Sequence, residues 1–117
     1  MITESRTINV LGTDIRIHFR KESEDPHLES CDGYYDHSES LIVVKIPEPD
    51  VNSIRDLESY QKKVLRHEII HAFLYESGMG HCSAPVDSWA TNEEMVDWFA
   101  IQSPKIFKVF REQRLVI

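Results

Sequence analysis

Cysteine is scarce in this sequence, with only Cys31 and Cys82 among 117 residues. Two cysteines allow at most one disulfide bridge, whereas small secreted domains usually depend on several. Neither residue belongs to a Cys-x-x-Cys pair, which excludes the cysteine-rich zinc ribbons. We therefore expect reduced thiols and a cytoplasmic protein.

Long apolar runs are also missing. Leu41–Val44 is as long as any uninterrupted apolar stretch, far below the ~20 residues that a helix needs to cross a bilayer. The first six residues contain no apolar segment of the kind found in signal peptides. The sequence thus predicts neither export nor a membrane partner.

Positive charge is in deficit. Thirteen Lys and Arg against twenty Asp and Glu give a formal charge of 13 − 20 = −7. Such a chain offers little net positive field for a phosphate backbone, so we do not expect a nucleic-acid partner. What is present is an ordinary globular composition, 41% apolar and 28% charged. Its length predicts one domain over residues 1–117.

The first part of the chain has the patterns of β-hairpins. Alternating apolar and polar residues over 6–20 predict one hairpin, and residues 33–36 with 41–46 predict a second. Residues 21–32 are charged and without a period, so we predict a loop. The segment 41–46, if it forms a sheet edge, would offer main-chain hydrogen bonds to an extended peptide.

Helices are predicted for the rest. One extends over residues 53–77, capped by Asn52 or Ser53 and ended by Gly78. Strands followed by helices indicate an α+β fold in which the helices cover one face of the sheet.

A second helix begins near Thr91, which forms a capping box with Glu94, and continues through Ile101. Ser103-Pro104 then predicts either a kink or the start of a last helix over residues 105–114. Four aromatic residues of this half are expected in the core: Trp89, Trp98, Phe107 and Phe110. His18 and His27 are expected to face solvent.

The chemistry is concentrated in His67-Glu68-Ile-Ile-His71. Histidines four residues apart lie on one face of a helix and can reach one ion. Zinc accepts neutral imidazole, and a catalytic zinc keeps three protein ligands plus a water. Glu68 lies ~100° around the helix from His67 and ~60° from His71, where it can take a proton from that water. The alternative is two buried histidines and a salt-bridged glutamate.

A third ligand is expected from the second helix. Glu93 and Asp97 are four residues apart, so one carboxylate can bind the metal while the other accepts the free N–H of a ligating histidine. We assign Glu93 as the ligand and Asp97 as the acceptor, with Glu94 and His81 as alternative ligands. Without the histidine pair, both residues would be ordinary acidic residues of a first helical turn.

HEIIH followed by N-E-x-x-x-D resembles the gluzincin arrangement of zinc peptidases. Over residues 30–104 the chain is similar to the ImmA/IrrE-like metallopeptidases, many of them carried by phages. The second family motif, E-x-x-A-N/D-x-F-A, is matched at Glu93, Asp97, Phe99 and Ala100, with Val96 in place of the alanine.

Two departures accompany the resemblance: Gln102-Ser103 replaces the usual Leu-Leu, and no helix-turn-helix domain is attached. Metzincins fit worse, because they need Gly and His where this chain has Leu74 and Ser77. The SprT-like proteases use a later histidine as a ligand, which keeps His81 open.

The resemblance implies a zincin-like fold and zinc-dependent hydrolysis of a protein or peptide, for example a regulatory protein. Zinc held by His67, His71 and Glu93 would polarise the scissile carbonyl, with Glu68 as the general base. Tyr75 or His81 is a candidate for stabilising the oxyanion. Alternatives are a zinc amidohydrolase on a non-peptide substrate and an inert zinc-stabilised interaction module.

Three further residues, Tyr34, Tyr35 and His37, can reach the predicted site from the second hairpin. We expect each of these residues to lie either at the predicted site or in a surface turn.

Overall fold

A computed structural model describes residues 1–49, 56–82 and 91–116, without the side chains of residues 81 and 82. It has the predicted α+β architecture. Strands precede helices along the chain in this order: β1 (Arg6–Val10), β2 (Thr13–Arg20), β3 (Gly33–Asp36), β4 (Leu41–Lys45), α1 (Leu57–Glu76), α2 (Met79–Cys82) and α3 (Glu93–Glu112). None of the helices described is both long and apolar enough to pass through a bilayer.

The four strands form one sheet in the order β1-β2-β4-β3. Both predicted hairpins are present, because β1 pairs antiparallel with β2 and β3 pairs antiparallel with β4. The two hairpins join through a parallel pairing of β2 with β4, which places Ile17 opposite Ile42. Residues 41–46 therefore do not form the sheet edge on which their predicted pairing with a peptide depended. Leu41–Val44 is buried throughout, as expected of an interior strand covered on both faces.

The faces of the sheet are covered by different parts of the chain. One face packs against α1 through aliphatic side chains: Val10, Ile15, Ile17, Ile42, Val44, Val64, Leu65 and Ala72. On the other face, Leu28 covers Leu41 and Val43. The helix that packs on the sheet is thus α1, and α3 packs in turn against α1.

The segment between the hairpins is not the irregular loop that we predicted. It contains two 3₁₀ turns, Glu22–Glu24 and Pro26–Glu29. Asp25 caps the second turn by accepting a hydrogen bond from the His27 N–H, and Pro26 occupies the first helical position. Turns this short have no hydrophobic period, so the pattern of the sequence did not reveal them.

Asp25 is also the centre of a buried polar cluster, being 4% exposed. The Arg20 guanidinium lies 2.8 Å from its carboxylate and the Tyr34 hydroxyl donates to it at 2.5 Å. These hydrogen bonds, that of Tyr34 first, hold the pKa of Asp25 below its usual value against the opposing effect of burial. His27 faces solvent as predicted. His18 is half-buried beside Arg20, contrary to prediction.

Helix α1 begins later than predicted. Asp56, which lies inside the predicted helix, is its cap and accepts a hydrogen bond from the Ser59 N–H at 3.0 Å. The predicted caps Asn52 and Ser53 lie outside the described residues. The end of the helix agrees with the prediction, since Gly78 follows it with φ +97°, a conformation that favours glycine.

Helix α3 also differs from the prediction at its start. Asn92, not Thr91, is the cap, and its side chain accepts from the Met95 N–H at 2.8 Å. The predicted capping box of Thr91 with Glu94 is therefore wrong. The two possible caps are adjacent in sequence, and asparagine and threonine are both common at this position.

Pro104 does not divide α3, which continues from Glu93 to Glu112. The predicted last helix over residues 105–114 is thus the second half of α3. A proline removes the N–H that would donate to the carbonyl four residues earlier, here that of Ala100. The Arg66 Nε donates to this oxygen instead, at 2.6 Å. Tertiary contact compensates for the missing helical hydrogen bond.

The aromatic residues of α3 are not in the core. Trp98 and Phe107 are each 52% exposed and Phe110 is 42% exposed, so the prediction is wrong for all three. Trp89 lies outside the described residues. The buried residues of α3 are Val96 and Ala100, both in its first half.

Candidate metal centre

The two histidines of the motif lie side by side on α1, as the spacing predicts. Their Nε2 atoms are 3.2 Å apart. Both side chains are largely buried, at 13% and 14% exposure. One potential ligand atom from each of His67, Glu68 and His71 lies within 4.8 Å of the other two. This group could hold a metal ion.

Glu93, the first residue of α3, reaches both imidazoles. Its Oε2 lies 2.9 Å from the His67 Nε2 and its Oε1 lies 2.9 Å from the His71 Nε2. The Asn92 cap fixes the first turn of α3 and so helps to hold Glu93 at this point. The structure thus brings together the three residues that the sequence analysis selected as ligands. Glu94, the alternative, is exposed, as is Glu93 at 70%, so the contacts with the two imidazoles distinguish Glu93 as the ligand.

Asp97 lies on the other side of His67. Its Oδ1 is 3.1 Å from the His67 Nδ1, so the two ring nitrogens of this histidine face different carboxylates. The same oxygen accepts a hydrogen bond from the Lys63 Nζ at 3.0 Å. Burial alone would raise the pKa of Asp97, but the hydrogen bonds from Lys63 and His67 outweigh it and lower the pKa.

Lys63 is a site residue that the sequence analysis missed. It precedes His67 by four residues, which places it on the same face of α1. That spacing was a usable signal, because a lysine one turn from a histidine can pair with the carboxylate that orients the ring.

Glu68 is 7% exposed, the most deeply buried residue of the motif. Burial raises the pKa of its carboxyl to about 7; the neighbouring His67 lowers the pKa and Glu93 raises it further. A group with a pKa near neutrality can both accept and release a proton under ordinary conditions.

Gly33 allows β3 to approach α1 closely beside Glu68. A Cβ atom there would lie 2.8 Å from Val64 Cγ1, 3.1 Å from the Val43 carbonyl oxygen and 3.5 Å from Glu68 Cγ. A larger residue would push the strand away from the helix, so this glycine sets the width of the site at Glu68. No pattern in the sequence marks this glycine as part of the site.

A cleft of about 540 Å³ opens in front of these residues. Its walls come from the second hairpin and from the helices, and they include the predicted residues Tyr34, Tyr35, His37 and Tyr75. His37 stacks on Tyr75 with ring centroids 4.4 Å apart. The hydroxyl of Tyr34 donates to Asp25 and not into the cleft. Hydrogen-bonding groups and aromatic rings thus surround the candidate metal centre.

Tyr75 and His81 were the two residues predicted to stabilise an oxyanion. Tyr75 lies in the wall of the cleft, together with His71 and Glu93. For His81 only the backbone is described, within α2, so its predicted role lies outside the described side chains.

The donor set fits a divalent cation. Imidazole nitrogen and carboxylate oxygen are the usual ligands of zinc, and a carboxylate on the far nitrogen of a ligating histidine is the usual support. Other divalent ions bind the same donors, so the set does not define one metal. No family model, curated protein or solved structure matches this chain. The interpretation of the site therefore depends on its own residues.

Proposed function

We propose that the chain is a zinc-dependent metallopeptidase with a zincin-like arrangement of helices. The observation that carries the proposal is the contact of the Glu93 carboxylate with both Nε2 atoms, each at 2.9 Å. Two imidazoles and a carboxylate from separate helices converge on one point, and a buried glutamate lies beside them. This is the ligand set of a catalytic zinc with an open position.

His67, His71 and Glu93 would hold the ion. When bound, zinc would supply a Lewis acid that polarises a scissile carbonyl and makes water more acidic. Asp97 orients His67 by accepting a hydrogen bond from its Nδ1. Lys63 holds the Asp97 carboxylate in place for this contact.

Glu68 moves the proton. As a carboxylate it accepts a proton from the water that attacks the carbonyl, and it then donates this proton to the leaving amine. Its burial beside Gly33 places the carboxylate next to the proposed ligands and away from bulk water, where it can serve both transfers. The predicted role of Tyr75 in oxyanion stabilisation agrees with its position in the cleft wall.

A peptide is the favoured substrate because a sheet edge borders the cleft. β3 is an edge strand, and three of its residues, Gly33, Tyr34 and Tyr35, line the cleft. An extended peptide can pair with the outer side of such a strand through main-chain hydrogen bonds. This assigns to β3 the role that we had expected of residues 41–46.

The test measures bound zinc and peptide cleavage in the same preparations. Zinc is determined by elemental analysis after dialysis, and cleavage by mass spectrometry of denatured casein. We expect zinc in the unmodified chain and its loss in Glu93→Gln. We expect Glu68→Gln to keep zinc but to lose ~10²–10⁴-fold in cleavage rate.

Two exposed glutamates provide matched controls. Glu94→Gln is adjacent to Glu93, and Glu58→Gln is on the same helix as Glu68; both variants should keep zinc and cleavage. Equal zinc in Glu93→Gln and the unmodified chain would contradict the ligand assignment. A zinc-loaded chain that cleaves no peptide would contradict the peptidase and favour an interaction module or an amidohydrolase.

A further inference from the structure

The second half of α3 projects from the domain. We call residues 104–116 the arm. No residue of the arm is buried, and Ala100 is the last residue of α3 that is. The exposed side chains include Phe107 at 52%, Val109 at 57% and Phe110 at 42%. Solvent-exposed aromatic groups at this density usually mark an interaction surface.

A groove between α1 and α3 lies next to the arm, with a volume of about 540 Å³. Its walls are mostly apolar side chains: Leu11, Ile69, Ile70, Phe73, Leu74, Met95, Phe99 and Phe107. None of the residues described around this groove lines the cleft of the candidate metal centre. A partner could therefore occupy the groove and leave the cleft open.

The arm has the pattern of a helix that binds in a groove. Phe107 and Phe110, both exposed, follow the i, i+3 spacing of one helix face. Its helical part, residues 104–112, is about 12 Å long, and the α1 wall of the groove, residues 66–76, is about 15 Å long at 1.5 Å per residue. The arm is thus short enough to lie within the groove of a second molecule.

Charge separates the arm from the rest of the chain. Four basic residues, Lys105, Lys108, Arg111 and Arg114, oppose Glu112, so the arm carries 4 − 1 = +3. The whole chain carries −7, which leaves −7 − 3 = −10 for the remainder. Opposite net charges favour the long-range encounter of the arm with a second copy; within the groove the contact is apolar, and the charged residue described in its wall is Arg66. The charge of −10 on the remainder also disfavours binding to an anionic lipid surface, because such a surface would repel it.

The basic residues do not obstruct apolar contact. Lys105 precedes Phe107 by two residues, and Lys108 precedes Phe110 by two. Two residues correspond to ~200° around a helix, so each lysine lies opposite its phenylalanine. The apolar side can enter a groove while the lysines remain in water.

We propose that two copies of this chain form a symmetric dimer in which the arm of each lies in the groove of the other. Phe107 belongs to both the arm and the groove wall, so the two surfaces are adjacent. A two-fold rotation can then make the same contact twice, which is the requirement of a closed dimer. The proposal does not depend on the metal centre or on peptide cleavage.

Sedimentation equilibrium of the full chain tests the dimer between about 1 and 100 µM, where micromolar association is measurable. The unmodified chain should sediment at twice 13.7 kDa. Phe107→Asp on the arm and Phe73→Asp on the groove wall should each raise the dissociation constant at least ~30-fold. Circular dichroism checks that each variant folds.

Val109→Asp is the matched control. It adds the same charge to the same arm at a similarly exposed residue, but ~200° around the helix from Phe107, so the dimer should persist.

Three results would overturn the proposal. The unmodified chain could remain monomeric at all concentrations. Val109→Asp could disrupt the dimer as strongly as Phe107→Asp. The monomer could bind vesicles of phosphatidylserine through Phe107, which would make lipid the occupant of this surface.

Discussion

The side chain of Arg66 on α1 donates a hydrogen bond to the main-chain carbonyl of Ala100 on α3, with Nε and oxygen 2.6 Å apart. That carbonyl is the one that Pro104 leaves without its helical donor. The contact therefore explains how α3 continues through a proline, and it links the helix of the histidines to the helix of Glu93.

Arg66→Met should destabilise the protein by ~1–3 kcal/mol, because the Ala100 carbonyl loses its donor. In a Pro104→Ala background the loss should be smaller, since the alanine N–H can donate to the same carbonyl. Urea unfolding of both single variants and the double variant measures this coupling. If the effects of the two changes on the free energy of unfolding were purely additive, Arg66 would not be replacing the missing helical donor of the Ala100 carbonyl.

Asp97→Asn should weaken zinc binding by ~10–100-fold. The reason is that a neutral amide replaces the charged carboxylate that accepts a hydrogen bond from the His67 ring. Competition with a chromophoric chelator measures the affinity. Glu94→Gln removes a negative charge from the same turn of α3 and should have little effect. An unchanged affinity in Asp97→Asn would show that Asp97 does not support His67.

Gly33→Ala should destabilise the protein by ~1–3 kcal/mol through overpacking. The added methyl group would lie 2.8 Å from Val64 Cγ1 and 3.1 Å from the Val43 carbonyl oxygen. Combining it with Val64→Ala removes the first clash but not the second, so the pair should cost less than the sum of the two changes. Thermal unfolding of the four variants provides the comparison. A Gly33→Ala chain as stable as the original would refute the close packing.

Asp25 should make stability depend on acid pH. Its folded-state pKa is below the model-peptide value of 3.8, so the unfolded chain takes up the proton first as the pH falls. The stabilisation is fully present above that value and is lost as the pH falls through the folded pKa.

Removing the Tyr34 hydroxyl should weaken this dependence. The Tyr34 hydrogen bond is the largest cause of the lowered pKa of Asp25, so Tyr34→Phe should reduce the slope of the unfolding free energy against pH, and Asp25→Asn should reduce it further. Urea unfolding at several acid pH values measures the slope. Glu58→Gln, at an exposed position, should leave it unchanged, and an equal change in this variant would point to general charge effects.

Local patterns predicted the parts of the fold that depend on neighbouring residues. Alternation identified both hairpins, and the four-residue spacing placed His67 and His71 side by side. The same spacing on the second helix selected Glu93 and Asp97, which the structure brings to the two ring nitrogens of His67.

Features that depend on distant residues were missed. The interior position of β4 results from its pairing with β2, which no local pattern specifies. The continuity of α3 at Pro104 depends on a donor from another helix. The exposed Phe107 and Phe110 were assigned to the core because composition alone does not tell a core face from an interaction face.

The parallel pairing of β2 with β4 has a consequence for the order of folding. Each hairpin closes from residues close in sequence, whereas joining the hairpins requires the closure of a longer loop and costs more chain entropy. Helix α1 packs on Ile15 and Ile17 from one hairpin and on Ile42 and Val44 from the other. We therefore expect α1, which carries His67 and His71, to dock late, so that the candidate metal ligands come together only in chains whose two hairpins have already paired.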